Sequence, residues 1–291
     1  MSASVYAARQ NLKFIVIAEA VGGQMAWSSD VRNYPGFGSI SGIGLARAFE
    51  KQAVSNGAKI ILGRVESIKK RKDFFVVSAG KDYEARTVLI ASGKKPRKLN
   101  IEGEEKYSGK GVFYCAVCDG PVFSGRVVAV IGGGNSAMDA ALLLAGYAKK
   151  VFILTIKSAL FGESGLLNGV LKSKKIKVIY NAEAKSFFGG ALLEGIKYGE
   201  SGVEKSLKAE GVFIEVGSEP AVGFDKLTKK NRWGEIIIHE NEGISNMASV
   251  KGIFAAGDAT SVPEKQVIVA AGEGVKAILG IIKYLNKNNK N

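Results

Sequence analysis

Two cysteines close together are the residues of this sequence best suited to chemistry. They are Cys115 and Cys118 in "FYCAVCDGPVF", and the chain has 2 cysteines in all. A C-x-x-C pair can form a small-loop disulfide, in which one thiol attacks a partner and the other resolves the mixed disulfide. Asp119 follows directly and can move the proton that such exchange requires. The pattern predicts a redox-active dithiol with Cys115, Cys118 and Asp119 as its catalytic residues.

Half of a zinc site and a pair of buried core thiols are the alternatives for these cysteines. A structural zinc site needs four ligands at patterned spacings. The 1 histidine of the chain, His239, has no patterned neighbours, so we interpret it as a surface residue and predict no metal. Two cysteines are also too few for the disulfide framework of a small secreted domain. Thiol–disulfide exchange is therefore the favoured interpretation.

A glycine-rich turn follows the cysteines in the stretch "RVVAVIGGGNSAMDAALLLAGYAKKVFILTI". Its apolar runs and the Ala- and Leu-rich segment between them predict strand, turn, helix and strand, a complete βαβ unit. Such a turn brings backbone N–H groups and a helix N-terminus to a pyrophosphate, whereas an isolated tight turn would not need the flanking elements. The residues predicted to contact the nucleotide here are Gly132, Gly134, Asn135, Ser136 and Ala137.

The remaining elements suggest how the chain is organised. A chain of 291 residues can build two cores. Short strands and one helix precede the βαβ unit, and a strand, a Gly-Asp turn and a long amphipathic helix follow it. We predict an α/β fold of two dinucleotide-binding (Rossmann-like) domains, the second inserted into the first. The expected domains are residues 1–104 with 223–291, and residues 105–222.

Charge and hydropathy narrow the possible partners. The net charge is +14, from 41 Lys and Arg against 27 Asp and Glu. The basic residues are scattered and show no aromatic-interleaved patch, so we interpret them as solvated surface and expect no nucleic-acid partner. No apolar run approaches the roughly 18 residues of a membrane helix, and the start has no signal-peptide layout. We therefore expect a cytoplasmic protein without membrane association.

Seven short motifs occur in a specific order along the chain. They are "GGQ" from 22, "NYPGF" from 33, "ASG" from 91, "CAVCDG" from 115, "GGGNSAMDAA" from 132, "GVFIEVG" from 211, and "GIFAAGDAT" with "KQVIVAAGEG" from 252 to 274. In order and spacing the chain resembles the low-molecular-weight thioredoxin reductases over almost its whole length. No single motif carries this resemblance by itself.

The resemblance implies a homodimeric flavoenzyme that contains FAD. A hydride passes from a nicotinamide to FAD, electrons pass to the Cys115–Cys118 disulfide, and a thioredoxin-like protein receives them. In the family pattern Cys118 faces the flavin and Cys115 attacks the partner. There are alternatives to FAD contact for three residues. Asp258 would then cap a turn, and Gln24 and Asn33 would be ordinary polar loop residues. The implied FAD contacts are Glu19, Gly23, Gln24, Asn33, Ala91, Gly93, Asp258, Lys265, Gln266 and Val267.

The start of the chain departs from the family pattern. The family begins with a strand and a glycine-rich turn for the FAD pyrophosphate, whereas this chain matches from the following helix, residues 3–9. Because the later FAD motifs are retained, we expect that the start is misplaced or truncated. The alternative is a flavin-poor homologue that exchanges thiols or binds a partner without nicotinamide turnover.

The residues after the second strand of the βαβ unit also depart from the pattern. NADPH-using relatives carry "HRR" and a further Arg there, where cations meet the 2′-phosphate. This chain has "TIKSALF", in which Lys157 is the one cation, and no acidic residue stands at the strand end as NAD recognition would favour. We predict that Lys157 contacts the nucleotide, and the sequence leaves NADPH and NADH both open as electron donor.

Overall fold

The computed structural model describes residues 1–28, 31–241 and 243–288. The described helices are α1 (Ser2–Arg9), α2 (Gly42–Ser55), α3 (Ala116–Asp119), α4 (Asn135–Ala145), α5 (Ser164–Lys172) and α6 (Val267–Asn288). Short 3₁₀ helices occupy Gly23–Trp27, Gly120–Phe123 and Gly257–Ala259. No helix in these three ranges has the length and apolar content to cross a bilayer.

The strands are short and numerous. The first nine are β1 (Val16–Ala18), β2 (Ile60–Leu62), β3 (Ser67–Lys70), β4 (Phe75–Ser78), β5 (Asp82–Ala85), β6 (Val88–Ile90), β7 (Lys94–Pro96), β8 (Val112–Phe113) and β9 (Val127–Ile131). The next five are β10 (Lys150–Leu154), β11 (Ile176–Ile179), β12 (Ala182–Gly189), β13 (Leu193–Glu200) and β14 (Val203–Lys208). The last five are β15 (Gly211–Ile214), β16 (Ser218–Pro220), β17 (Ile238–Asn241), β18 (Ile244–Ala248) and β19 (Ile253–Ala255).

The chain divides into two compact units. Residues 1–95 and 219–291 form the first, here called the interrupted unit, and residues 96–218 form the inserted unit. The sequence-based boundaries were 104/105 and 222/223. The segment before residue 105 lies with the inserted unit because the buried carboxylate of Glu104 accepts hydrogen bonds from the N–H groups of Leu99, at 3.0 Å, and Asn100, at 2.6 Å. The same carboxylate accepts the hydroxyl of Tyr114 at 2.6 Å.

The inserted unit is built on a parallel sheet with the strand order β11-β10-β9-β15-β8. Strand β9, "VVAVI", is buried on both faces apart from its first residue, which explains its uninterrupted apolar sequence. Helix α4 packs on the sheet through small side chains such as Ala137 and Ala141, both 0% exposed. The predicted strand, turn, helix and strand are present, and an antiparallel sheet β12-β13-β14 completes the unit.

The interrupted unit combines small sheets with two long helices. Strands β1 and β2 pair in parallel, and β6 pairs in parallel with β19 in a four-stranded sheet of order β17-β18-β19-β6. Strands β3, β4 and β5 form an antiparallel meander. Helix α2 begins at a Ser41 cap whose hydroxyl accepts the N–H of Gly44, as N-terminal caps commonly do. These elements agree with the α/β fold predicted from the sequence.

Candidate active site

The two cysteines are joined as a disulfide in the inserted unit. Their Cα atoms are 5.4 Å apart. Cys115 is the residue before helix α3, and the backbone N–H of Cys118 donates a hydrogen bond to the sulfur of Cys115 at 3.1 Å. After reduction the same N–H would donate to a thiolate on Cys115, and a hydrogen bond of this kind favours the charged form of a thiol. The local backbone therefore favours Cys115 as the nucleophilic thiol.

The surroundings of the two sulfurs differ. Cys115 is 7% exposed, whereas Cys118 is exposed. Asp119 is partly buried, and this burial raises the pKa of its carboxyl above the usual range. A raised pKa suits a group that donates a proton to a leaving thiolate near neutral pH. The separate roles given to the cysteines stay predictions.

The predicted nucleotide-binding residues lie together at the carboxyl end of β9. The turn follows the central strand, between β10 on one side and β15 on the other, which is where parallel α/β sheets bind ligands. Gly132 has φ of 150°, and a Cβ there would lie 2.2 Å from the carbonyl oxygen of Glu215, so only glycine fits. Helix α4 then begins at Asn135, with Ser136 exposed and Ala137 buried.

The far side of this turn is apolar rather than cationic. Thr155 is 3% exposed, while Ile156 and Phe161 are 66% and 59% exposed. Lys157 is exposed, and its backbone N–H donates to the Thr155 hydroxyl at 3.3 Å. The position where a 2′-phosphate would need cations is therefore lined by two exposed hydrophobic side chains and one lysine.

Glu215 is a residue of this region that the sequence analysis did not single out. It follows the end of β15, beside the glycine turn. Burial, together with the nearby carboxylate of Asp139, raises the pKa of Glu215 to about 8. The motif "GVFIEVG" contains this residue, but nothing in the motif shows that α4 brings a second acid close to it.

A Glu215→Gln substitution is expected to flatten the pH dependence of stability. In the folded chain the pKa of Glu215 rises from 4.5 to about 8. The folded state therefore favours the neutral carboxyl, and the free energy of unfolding of the wild type falls as the pH rises from about 4.5 through 8. The amide cannot ionise, so the variant should gain about 2 kcal/mol relative to the wild type between pH 5 and 8, less than the full shift implies because the carboxyl is partly exposed. Urea unfolding at several pH values measures this, and parallel curves would contradict the assignment.

In the interrupted unit, two predicted FAD contacts far apart in sequence meet. The side-chain amide of Asn33 donates to the side-chain oxygen of Gln266 at 3.0 Å. Asp258 lies in the 3₁₀ helix Gly257–Ala259 that follows β19. Burial raises the pKa of its carboxyl, an effect opposed by the charges of Lys265 and Lys94. Among the described residues none donates a hydrogen bond to this carboxylate, so its oxygens are available to the hydroxyls of a ligand.

Lys265 is held by a buried acid that the sequence analysis missed. Glu235 is 8% exposed, and one of its oxygens lies 3.0 Å from the Lys265 amine and 3.3 Å from the Lys94 amine. Asn231 donates to the other oxygen at 2.8 Å. Burial alone would raise the pKa of Glu235, but the hydrogen bonds from Asn231, Lys265 and Lys94 outweigh it and lower the pKa. The result is a fixed ion cluster beside Asp258.

The other predicted FAD residues take separate places. Ala91 and Gly93, with φ of 64°, follow the end of β6, and Val267 begins α6. Gly23 and Gln24 open the first 3₁₀ helix. Glu19 forms an exposed ion pair with Arg64 at 3.3 Å. Among the described residues, no side-chain hydrogen bond joins Glu19 or Gln24 to Asn33, Gln266 or Asp258. Nor do the described ranges hold a group of three His, Cys, Asp or Glu suited to a metal ion.

Comparison with known proteins identifies the family. The pyridine nucleotide-disulphide oxidoreductase family matches residues 1–274. The thioredoxin reductase of Bacillus subtilis is 36% identical, over 99% of this chain and 92% of that protein. An NADH dehydrogenase of the same organism is 34% identical over 99% of this chain, which spans only 57% of that relative. The chain belongs to the pyridine nucleotide-disulphide oxidoreductase family and within it is similar to the low-molecular-weight thioredoxin reductases.

Solved structures agree with this membership. The thioredoxin reductase of Lactococcus lactis superimposes with a TM-score of 0.90 at 29% identity, covering 98% of this chain and 95% of that one. That of T. acidophilum gives a TM-score of 0.87 at 36% identity, covering 98% and 94%. The resemblance and the two-domain α/β fold predicted from the motifs are thus confirmed. Membership implies FAD and a nicotinamide dinucleotide as cofactors.

Proposed function

We propose that this protein reduces the disulfide of a thioredoxin-like protein, using electrons that pass from a nicotinamide dinucleotide through FAD to Cys115 and Cys118. The observation that carries the proposal is the Cys115–Cys118 disulfide itself, with a backbone N–H directed at the sulfur of Cys115 at 3.1 Å. As the resemblance implies, we also propose that the enzyme is a homodimer.

The thiol chemistry balances without a further reactant. Two electrons and two protons convert the disulfide to two thiols. The Cys115 thiol gives its proton to the Asp119 carboxylate, and the resulting thiolate attacks one sulfur of the partner disulfide, which forms a mixed disulfide and releases the other sulfur as a thiolate. Asp119, whose pKa is raised by burial, returns the proton to that leaving group. The Cys118 thiol then loses its proton and attacks the Cys115 sulfur, which restores the internal disulfide, and the released partner sulfur takes up that proton.

The residues of the interrupted unit fit FAD. The unit supplies both hydrogen-bond donors and acceptors. They are the carboxylate of Asp258, the Asn33–Gln266 pair, and Lys265, which Glu235 holds in place. When bound, FAD accepts a hydride and passes two electrons to the disulfide. We propose that Asp258 accepts hydrogen bonds from hydroxyl groups of FAD and that Lys265, Gln266 and Val267 line the same site.

An Asp258→Ala substitution should weaken FAD binding by about 10- to 100-fold. A hydrogen bond to a charged group contributes about 1.5–3 kcal/mol, and about 1.4 kcal/mol corresponds to a factor of ten. Titration of the FAD-free protein with FAD, followed by flavin fluorescence, measures the affinity. Asp73→Ala, which removes an exposed acid from the loop between β3 and β4, is the control. Equal affinities of the Asp258 variant and the control would show that Asp258 does not contact FAD.

For the donor, we propose that NADH serves at least as well as NADPH and that both bind weakly. The support is chemical, because Lys157 is the single cation of "TIKSALF" and its neighbours Ile156 and Phe161 are exposed and apolar. A curated relative named NADH dehydrogenase points the same way. Lys157 would be the one charged contact available to the adenosine end of the dinucleotide.

One experiment tests the function as a whole. The protein is loaded with FAD, reduced with dithionite and mixed with an oxidised thioredoxin, and the appearance of thioredoxin thiols is measured. A second series replaces dithionite by NADH or NADPH. The proposal expects thiols in the first series and turnover in the second. Protein that binds FAD but yields no thioredoxin thiols after chemical reduction would overturn the proposal. Thiol exchange by protein that holds no FAD would instead support the flavin-poor alternative, which the family match does not favour.

A further inference from the structure

One aromatic side chain covers the glycine turn of the inserted unit. A Cβ built on Gly134 would lie 3.2 Å and 3.3 Å from two ring atoms of Phe161, and one built on Gly133 would lie 3.6 Å from a third. The ring therefore lies along both glycines. It is nevertheless 59% exposed, so burial of its own surface does not explain why it sits there.

The backbone of the segment that carries Phe161 is held against the turn. The N–H of Phe161 donates to the carbonyl oxygen of Gly133 at 3.0 Å. The N–H of Glu163 donates to the side-chain oxygen of Asn135 at 2.8 Å, and the Asn135 amide donates back to the Glu163 carboxylate at 3.4 Å. Leu160, 7% exposed, anchors the segment in the core under α4. These contacts hold the backbone of the segment, and none of them involves the Phe161 ring.

The ring takes the space that a dinucleotide site normally keeps open. The second glycine of such a turn lets the backbone approach the pyrophosphate closely. Here an aromatic ring lies only 3.2 Å from the position that a Cβ of Gly134 would take. A ring face is negative and donates no hydrogen bond, so it offers nothing to a phosphate oxygen and would displace the water around it. The side-chain amide of Asn135 is also engaged, because it is bonded to Glu163.

We propose that Phe161 is a gate of the nucleotide site, whose ring must swing off Gly133 and Gly134 before a pyrophosphate can enter. The inference rests on the proposed function, in which this turn binds the nicotinamide dinucleotide. The gate lowers the affinity for any pyrophosphate-containing nucleotide, whether or not it has a 2′-phosphate. This effect is separate from that of the missing cations, whose absence weakens only the binding of a 2′-phosphate.

Binding of ADP-ribose to the FAD-loaded protein tests the gate without catalysis. ADP-ribose carries the pyrophosphate but neither nicotinamide nor 2′-phosphate. If the open state is about a tenth of the population, removing the ring improves the apparent affinity about tenfold. Calorimetric titration should therefore show that Phe161→Ala binds ADP-ribose and NADH each about tenfold more tightly than the wild type. Leu171→Ala, which trims a similarly exposed side chain on helix α5, should leave ADP-ribose binding unchanged.

The other outcomes are equally informative. Weaker binding by Phe161→Ala would mean that the ring stacks on the ligand, and unchanged binding would mean that it does not obstruct the site; either overturns the gate while leaving the proposed function standing. Absence of ADP-ribose binding in both proteins would overturn the gate and also the nicotinamide half of the proposed function. Because Phe161 is exposed, the variant should retain the thermal stability of the wild type, which a melting curve checks.

Discussion

Replacement of either Cys115 or Cys118 by serine is expected to abolish the reduction of a thioredoxin disulfide. The loss should be at least about a thousandfold, because removal of the nucleophile from a covalent mechanism typically costs several decades in rate. Both sulfurs are needed, since one forms the mixed disulfide and the other resolves it. The measurement uses FAD-loaded protein reduced beforehand with dithionite, so that weak binding of a nicotinamide donor does not limit the rate.

Val117→Ser is the matched control, since it introduces the same side chain between the cysteines while keeping the dithiol. The variants also test the roles of the two sulfurs. Cys118→Ser should trap a stable mixed disulfide with thioredoxin through Cys115, and Cys115→Ser should not. The comparison separates the two roles, because Cys118 is the more exposed residue while its backbone N–H donates a hydrogen bond to the sulfur of Cys115. Trapping through Cys118 would reverse the assignment.

Introducing arginines at positions 156 and 161 should convert the weak dinucleotide site into one selective for NADPH. Arginine binds phosphate bidentately, and Ile156 and Phe161 are exposed enough to be replaced. Thr155 is left in place, because its hydroxyl lies 2.5 Å from where a Cβ of Gly133 would be and it is 3% exposed. At the lower end of about 1.5 kcal/mol for each charged contact, two contacts should raise the NADPH:NADH affinity ratio about 100-fold.

The control for this prediction is Ile156→Ala with Phe161→Ala, which removes the same apolar side chains without adding charge. Comparison of the two double variants separates phosphate recognition from removal of the ring, because the gate affects both dinucleotides alike. The measurement is the dissociation constant of each dinucleotide, together with the rate of flavin reduction in stopped flow. A ratio that stays within about twofold of the control, or tight NADPH binding in the wild type, would show that the 2′-phosphate is recognised elsewhere.

Several features of this protein were determined by the sequence alone. The bounds of β9 and α4 follow from an apolar run and a helix-forming segment separated by glycines. Position 132 requires glycine because of its backbone angle, which the G-x-G-x-x-A spacing anticipated. The disulfide partners are three residues apart, so chain geometry brings them together without help from distant residues. The motif order predicted the family and the insertion of one domain into the other, since it depends on chain order.

Other features were decided only by tertiary structure. Glu235 forms ion pairs with Lys94 and Lys265, which are distant from it in sequence. A buried charge is costly unless it is paired, so the fold determines which residues meet. The domain boundary lies at residue 96 because the buried carboxylate of Glu104 ties residues 99 and 100 to the inserted unit. Phe161 reads in the sequence as one more hydrophobic residue after a strand. Its backbone is held beside the glycine turn by one hydrogen bond to the carbonyl oxygen of Gly133 and by the Asn135–Glu163 pair, which no local pattern encodes.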